Sequence, residues 1–238
     1  MIEYSIEWTR FYLVIITQTI MATFFFYIAF RILKRKFDRK TLTLSAIYIF
    51  PGISFIFNII YIILFALNEI TLGLILYYFT VYFVLFGFIF LLIFIINLLD
   101  IQKKLALKKQ LIIVFIYATA VFLLLILPGG IKIDESTNWT PIYSWYFLIA
   151  VYIFFTSVIF IPTMIFSIKF FNTLNDKVLK KKFMYFFIGM IGMFFILYGA
   201  TLYNTWDNNI YKIIWTILIN IILIPSGFLL YFGIVRNL

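Results

Sequence analysis

Seven apolar runs, each long enough to cross a bilayer, take up most of this chain, and strongly basic connections alternate with acidic or neutral ones between them. A spanning helix needs roughly 20 apolar residues. The runs cover 11–33, 42–67, 72–99, 111–128, 145–168, 183–203 and 212–235. The third is long enough to tilt or to project beyond the hydrocarbon. The fourth is the shortest and is closed by Pro128-Gly129-Gly130. With 66% hydrophobic residues and a mean hydropathy of +1.13, the chain has too little polar surface to cover itself in water. The bilayer is its solvent. The expected fold is all-α: residues 1–238 as one domain, a polytopic seven-transmembrane-helix bundle.

The connections vote on orientation. Those after the first, third and fifth runs carry six, four and five Lys/Arg with one acid each, and Arg236 follows the last run, making 16 basic residues against three acids. The opposite side carries Arg10, Lys132 and Lys212 against Glu3, Glu7, Glu69, Asp134, Glu135 and Asp207. Lys and Arg in short loops stay cytoplasmic. The expectation is a multi-pass cell-membrane protein with its N-terminus extracellular and its C-terminus cytoplasmic. An odd number of spans requires termini on opposite sides, so charge and count agree. The acidic start "MIEYSIEWTR" lacks the basic region of a signal peptide, and the first run is expected to remain as a helix.

Several functions are excluded by what the chain lacks. It has no cysteine and no histidine, which removes disulfides, thiol chemistry, Cys/His metal sites and a histidine switch. No charged residue lies near the middle of a run, which counts against proton pumps, ion-coupled carriers and voltage sensors. A retinal Schiff base would need a lysine at the centre of the seventh run. Lys212 lies at its outer mouth, so no retinal is expected, nor any other cofactor. The net charge of +10 follows membrane orientation and not nucleic-acid binding. No nucleophile–base pair or intramembrane carboxylate pair suggests an enzyme, and no residue is assigned to catalysis or a metal.

The candidate ligand-binding residues are uncharged or lie at the outer face. Counting ~1.5 Å per residue places Gln18, Asn58 and Asn220 at one level, ~10–14 Å below the outer surface. Amides in lipid want partners, so all three are expected to point inward. They either hydrogen-bond between helices or line a small outward-opening pocket. Trp8, Trp139, Trp145, Trp206 and Trp215 all map to the outer side. They read as an interfacial aromatic belt. Alternatively Trp139, Trp145 and Trp206 frame a site with Asp134, Glu135 and Asp207. The connection "GGIKIDESTNWTPIYS" is the longest outer loop and the best lid candidate. Its "NWT" at Asn138 fits a glycosylation acceptor.

Candidate hinges are Pro51 in the second run, Pro162 in the fifth, and Pro225 with Gly227 in the seventh, because each proline removes a backbone donor from its helix. The "GMIG" at 189–192, with Gly73, Gly87 and Gly199, suggests close helix packing.

The stretch "IILIPSGFLLYFGIVRNL", residues 221–238, resembles the last helix of the seven-helix sensor regions of prokaryotic membrane histidine kinases: a late proline, then aromatics, a small residue and a basic exit. The topology is similar too. No kinase part is present in these 238 residues. The resemblance therefore implies a sensor or receptor-like protein that detects an outer or membrane-dissolved small ligand and signals through a separate cytoplasmic partner. A facilitative transporter or pore, and an accessory subunit of a membrane complex, are the alternatives. The lipid bilayer is a partner in every case.

Overall fold

The computed structural model describes residues 8–35, 37–99, 106–137 and 139–234. Asn138 and Arg236 lie outside the described residues. Among the described residues eight α-helices follow one another: α1 (Trp8–Leu33), α2 (Arg39–Ala66), α3 (Ile70–Leu99), α4 (Leu107–Leu125), α5 (Trp145–Phe155), α6 (Ile161–Thr173), α7 (Lys177–Thr205) and α8 (Asn209–Ile234). A π-helical turn, Thr156–Phe160, joins α5 to α6 without a break, so the two form one span. Among the described residues seven helices are then long and apolar enough to cross a membrane, and the all-α membrane reading holds.

The helices reach further than the apolar runs, mostly at their basic ends. Arg39 and Lys40, Lys108 and Lys109, and Lys177 with Lys180–Lys182 are helical rather than loop residues. Lysine and arginine are good helix formers, and beyond the hydrocarbon nothing prevents the backbone ladder from continuing. Two acids of the basic connections serve as caps. Asp38 Oδ1 accepts from the Thr41 amide at 3.0 Å, while Thr41 Oγ1 accepts from the Asp38 amide, also at 3.0 Å. Asp176 Oδ1 accepts from the Val178 amide at 2.7 Å. Each cap satisfies donors that the first turn leaves open.

The core lies along α3 and α7. About half of their apolar windows is buried, 56% and 50%, against 17% for α4, which is peripheral. Phe88 of α3 packs against Phe155 of α5 and Phe194 of α7, with ring centroids 5.0 and 5.5 Å apart. Phe94 meets Phe186 at 5.8 Å. α2 packs on α1 and α3, and α7 packs on α8.

The α7–α8 contact depends on glycine. A Cβ on Gly189 would sit 2.6 Å from the Ser226 carbonyl oxygen. On Gly192 it would strike Ser226 Oγ, and on Gly199 the ring of Trp215. Small residues let two backbones approach where hydrocarbon supplies no hydrophobic drive. Trp215 is therefore buried packing, 4% exposed, and not part of an aromatic belt.

One connection is more than a turn. Between α4 and α5 the chain forms a two-stranded antiparallel hairpin, Ile131–Lys132 with Ile142–Tyr143, around a 3-10 turn at Glu135–Thr137. It lies at the end of the bundle opposite the basic connections.

Candidate functional site

The hairpin is held down by the upper part of α2. Its carbonyl at Trp139 accepts a hydrogen bond from the Tyr61 hydroxyl at 3.2 Å. The Trp139 ring packs on Phe65 at 5.4 Å between centroids. Tyr77 of α3 and Tyr143 of the hairpin share a hydrogen bond of 2.6 Å between buried hydroxyls. Tyr61 lies 5.1 Å from Tyr77, closing a cluster of aromatic rings beneath the loop. A buried phenol in lipid must find a partner, and here the partners are the loop and one another.

Trp139 takes φ +56°, the left-handed region. For a bulky residue this costs of order 1–3 kcal/mol and persists only where the surroundings over-determine it. The surroundings do so. The Trp139 amide donates to the Asp134 carbonyl at 3.0 Å, and Thr137 and Thr140 hydroxyls bond back into the turn. Strain of this kind gathers at clamps and switches.

The acids nearby are already committed. Ser136 donates to Asp134 Oδ1 at 2.6 Å and Lys132 lies 3.4 Å from its other oxygen; this hydrogen bond, then the cation, holds the Asp134 carboxyl below its ordinary range. Lys212 pairs with Asp207 at 2.7 Å and lowers that carboxyl likewise. Burial pushes the Tyr143 phenol up to about 12.

The proposed tryptophan frame separates. Trp139 is tucked against α2. Trp206 is 42% exposed and packs on Tyr211, and Trp145 is 56% exposed. No ring contact joins the three among the described residues. Trp145 and Trp206 have the exposure an aromatic belt needs.

The polar level at mid-depth does not assemble either. Gln18 is half-buried on α1, with its Oε1 buried and without a hydrogen bond. Asn58 is half-buried on α2. Asn220 is exposed on α8, and its amide donates back to the Thr216 carbonyl at 2.7 Å. The expectation that all three point inward is corrected at Asn220. A side chain that can satisfy itself on its own helix has no need of the bundle interior. No hydrogen bond joins any two of these amides among the described residues.

The prolines stand in three different settings. Pro51 is buried inside an unbroken α2, where a Cβ on Gly87 of α3 would approach it to 3.1 Å. Pro162 follows the π-helical turn, in which the Ile161 amide donates to the Thr156 carbonyl. Thr156 Oγ1 meets the Tyr198 hydroxyl at 2.6 Å, and Tyr152 donates to the Tyr198 carbonyl at 2.5 Å, tying this turn to α7. Pro225 is exposed in an unbroken α8. Two residues on, the Gly227 carbonyl accepts from the buried Tyr48 hydroxyl of α2 at 3.0 Å.

Sequence reasoning missed these tyrosine contacts. With 17 tyrosines in the chain, the residue type marks no single position. It also missed a polar chain at the basic end: Arg39 Nε donates to Gln110 Oε1 at 3.0 Å, and Gln110 Nε2 donates to Asn97 Oδ1 at 2.5 Å. Gln110 stands next to two lysines in "LKKQ", where it reads as a solvated helix end.

Comparison with protein-family models, with curated proteins and with solved structures finds no match in any of the three.

Proposed function

We propose that this chain is a membrane sensor whose outer hairpin is the input and whose last helix is the output, with α2 as the rod between them. One observation carries the reading. The same helix that anchors the hairpin through Tyr61 and Phe65 anchors α8 through Tyr48, beside Pro225. From Tyr61 to Tyr48 the helix rises about 20 Å. Pro51 lies between the two anchors. A ligand that displaced Trp139 would release the upper end of α2, and a tilt or rotation of α2 would act directly on the Gly227 carbonyl. Helix movement of this kind is a common switching element. The hairpin end is the extracellular one on the charge rule, and the response would pass to a separate cytoplasmic protein at the basic end.

A standing pore is less well supported. The interior between α3, α5 and α7 is filled by Phe88, Phe155, Phe160 and Phe194 rather than by a polar path. An accessory-subunit role finds no specific support in the exposed face of α4. Phe115 and Phe122 there are covered by lipid as readily as by protein.

The test is a double-mutant cycle, Trp139→Ala with Tyr48→Phe, read by unfolding in detergent. Sites this far apart normally add to within about 0.5 kcal/mol. A sensor built on α2 predicts a coupling above that. Additive losses would remove the coupling on which the reading stands. Uptake of small uncharged solutes by proteoliposomes would replace it with the transporter reading.

A further inference from the structure

The inward rows of α1, α2 and α8 close on one another at mid-bundle. Phe25, Pro51 and Ser226 are buried there. Phe24 packs on Phe228 at 4.8 Å between centroids, and the Tyr48 hydroxyl holds the Gly227 carbonyl. About two turns nearer the hairpin end, the same rows carry Gln18, Asn58 and Ile219. Each stands two residues from an exposed isoleucine on either side: Ile16 and Ile20, Ile56 and Ile60, Ile217 and Ile221. At about 100° per residue, that spacing turns each of the three away from the exposed row and toward the bundle. Yet all three are only half-buried. An inward side chain that solvent still reaches lines open space between helices.

The two amides in that space are unsatisfied. Gln18 Oε1 is buried without a hydrogen bond, and no hydrogen bond reaches the Asn58 amide among the described residues. Phe25 packs on Phe55 at 5.6 Å between centroids, and a Cβ on Gly52 would lie 3.1 Å from the Phe26 ring, which fixes the register of α1 on α2. In that register Gln18 and Asn58 stand within a turn of each other, ~5 Å along the bundle. Amides in hydrocarbon want partners. Asn220, by contrast, faces out and is satisfied at Thr216.

We infer that this space is a binding site for a small uncharged amphiphile, whose polar head bonds Gln18 and Asn58 and whose chain lies against α8 at Ile219 and Ile222. Three features select this class. A carboxamide both donates and accepts, so the pair suits a head that does both, such as an alcohol. No Asp, Glu, Lys or Arg occurs in 14–30, 41–68 or 213–235, so nothing there would compensate a charged head. The α8 wall is aliphatic, and Ile222, a turn from Ile219, is likewise half-buried. Asn58 also lies one turn from Tyr61, so an occupant bears on the part of α2 that anchors the hairpin. The site stands whether or not the chain is a sensor.

The experiment is photolabelling of the full chain in phosphatidylcholine vesicles with a diazirine derivative of octanol, the labelled peptides being identified by mass spectrometry. Labelling should saturate and centre on 14–22 and 55–62. Octanol should compete, and octane at the same concentration in the membrane should not. Gln18→Leu with Asn58→Leu should cut the labelling severalfold. Asn220→Leu, which removes the outward amide, should label as the parent does. If the double variant does not fold, the comparison of octanol with octane in the parent decides. Competition by octane equal to that by octanol would make the space apolar without recognition by the amides and overturn the site. So would parent-like labelling of the double variant. Labelling that rises in proportion to the probe without saturating would be bulk lipid uptake and would overturn it too. Stronger competition by octanoate than by octanol would assign a charged ligand and overturn the neutral one.

Discussion

Tyr143 shows how one side chain can report on the hairpin. Its phenol is buried against Tyr77, and burial pushes its pKa up to about 12 from an ordinary value near 10. The folded chain therefore keeps it neutral while the released loop ionises it. Below about pH 10 both states are neutral and nothing is lost. Between about 10 and 12 only the released state gives up its proton, so the docked loop loses stability across that window and no further above it. Proteolysis of the 128–144 segment should accelerate over that interval. Tyr143→Phe lacks the ionisable group and should lose that part of the pH dependence. Equal acceleration in both proteins would assign the effect to other groups. Trp139 is the strained partner in the same loop. Its left-handed backbone was not legible in "STNWT", because a tryptophan there gives no sign of positive φ. Only the fit against Phe65 and the Asp134 carbonyl specifies it.

Among elements, helix existence was legible and helix rotation was not. The seven runs predict the seven spans because apolar length has one reading in a membrane. Which face turns inward is another matter. Ile, Leu and Phe occur on all sides of these helices, and lipid accepts them as readily as the core does. Asn220 is the clearest instance, since its amide is satisfied at Thr216 and it faces out. The glycines gave better guidance, because a missing side chain on Gly189, Gly192 and Gly199 is explained only by a close neighbour. Polar links between elements were hidden for want of a pattern. The chain from Arg39 through Gln110 to Asn97 joins α2, α4 and α3. Gln110→Leu would leave the Asn97 amide buried without its partner and should destabilise by about 1–3 kcal/mol. Replacing both amides by leucine removes the unsatisfied group and should recover much of that loss. Denaturant unfolding of the two variants measures the difference. A double variant no better than the single one would mean that the link contributes by packing alone.

For the whole molecule, the distribution of charge is the strongest statement the sequence makes. The basic end has 16 Lys/Arg and the hairpin end three. The fold does not dilute that asymmetry. Asp38 and Asp176, two of the acids at the basic end, are used as helix caps, while Lys177 and Lys180–Lys182 extend α7 beyond the apolar core. Asp207 and Asp134 at the other end are paired with Lys212 and Lys132. The imbalance in basic residues is therefore what remains to orient the bundle, and on the rule for short basic loops we propose that the basic end faces the cytoplasm. The absence of cysteine makes the test direct. Lys132→Cys in the hairpin should react with an impermeant maleimide on intact cells. Lys180→Cys at the start of α7 should react only after the membrane is opened. The reverse pattern would invert the bundle, putting the hairpin in the cytoplasm and the basic connections outside. The outward-facing input would then be lost, because the segment anchored by α2 would no longer meet the outside. The expected pattern would give the proposed sensor its frame, with the input at Trp139 outside and the output at α8 on the cytoplasmic side.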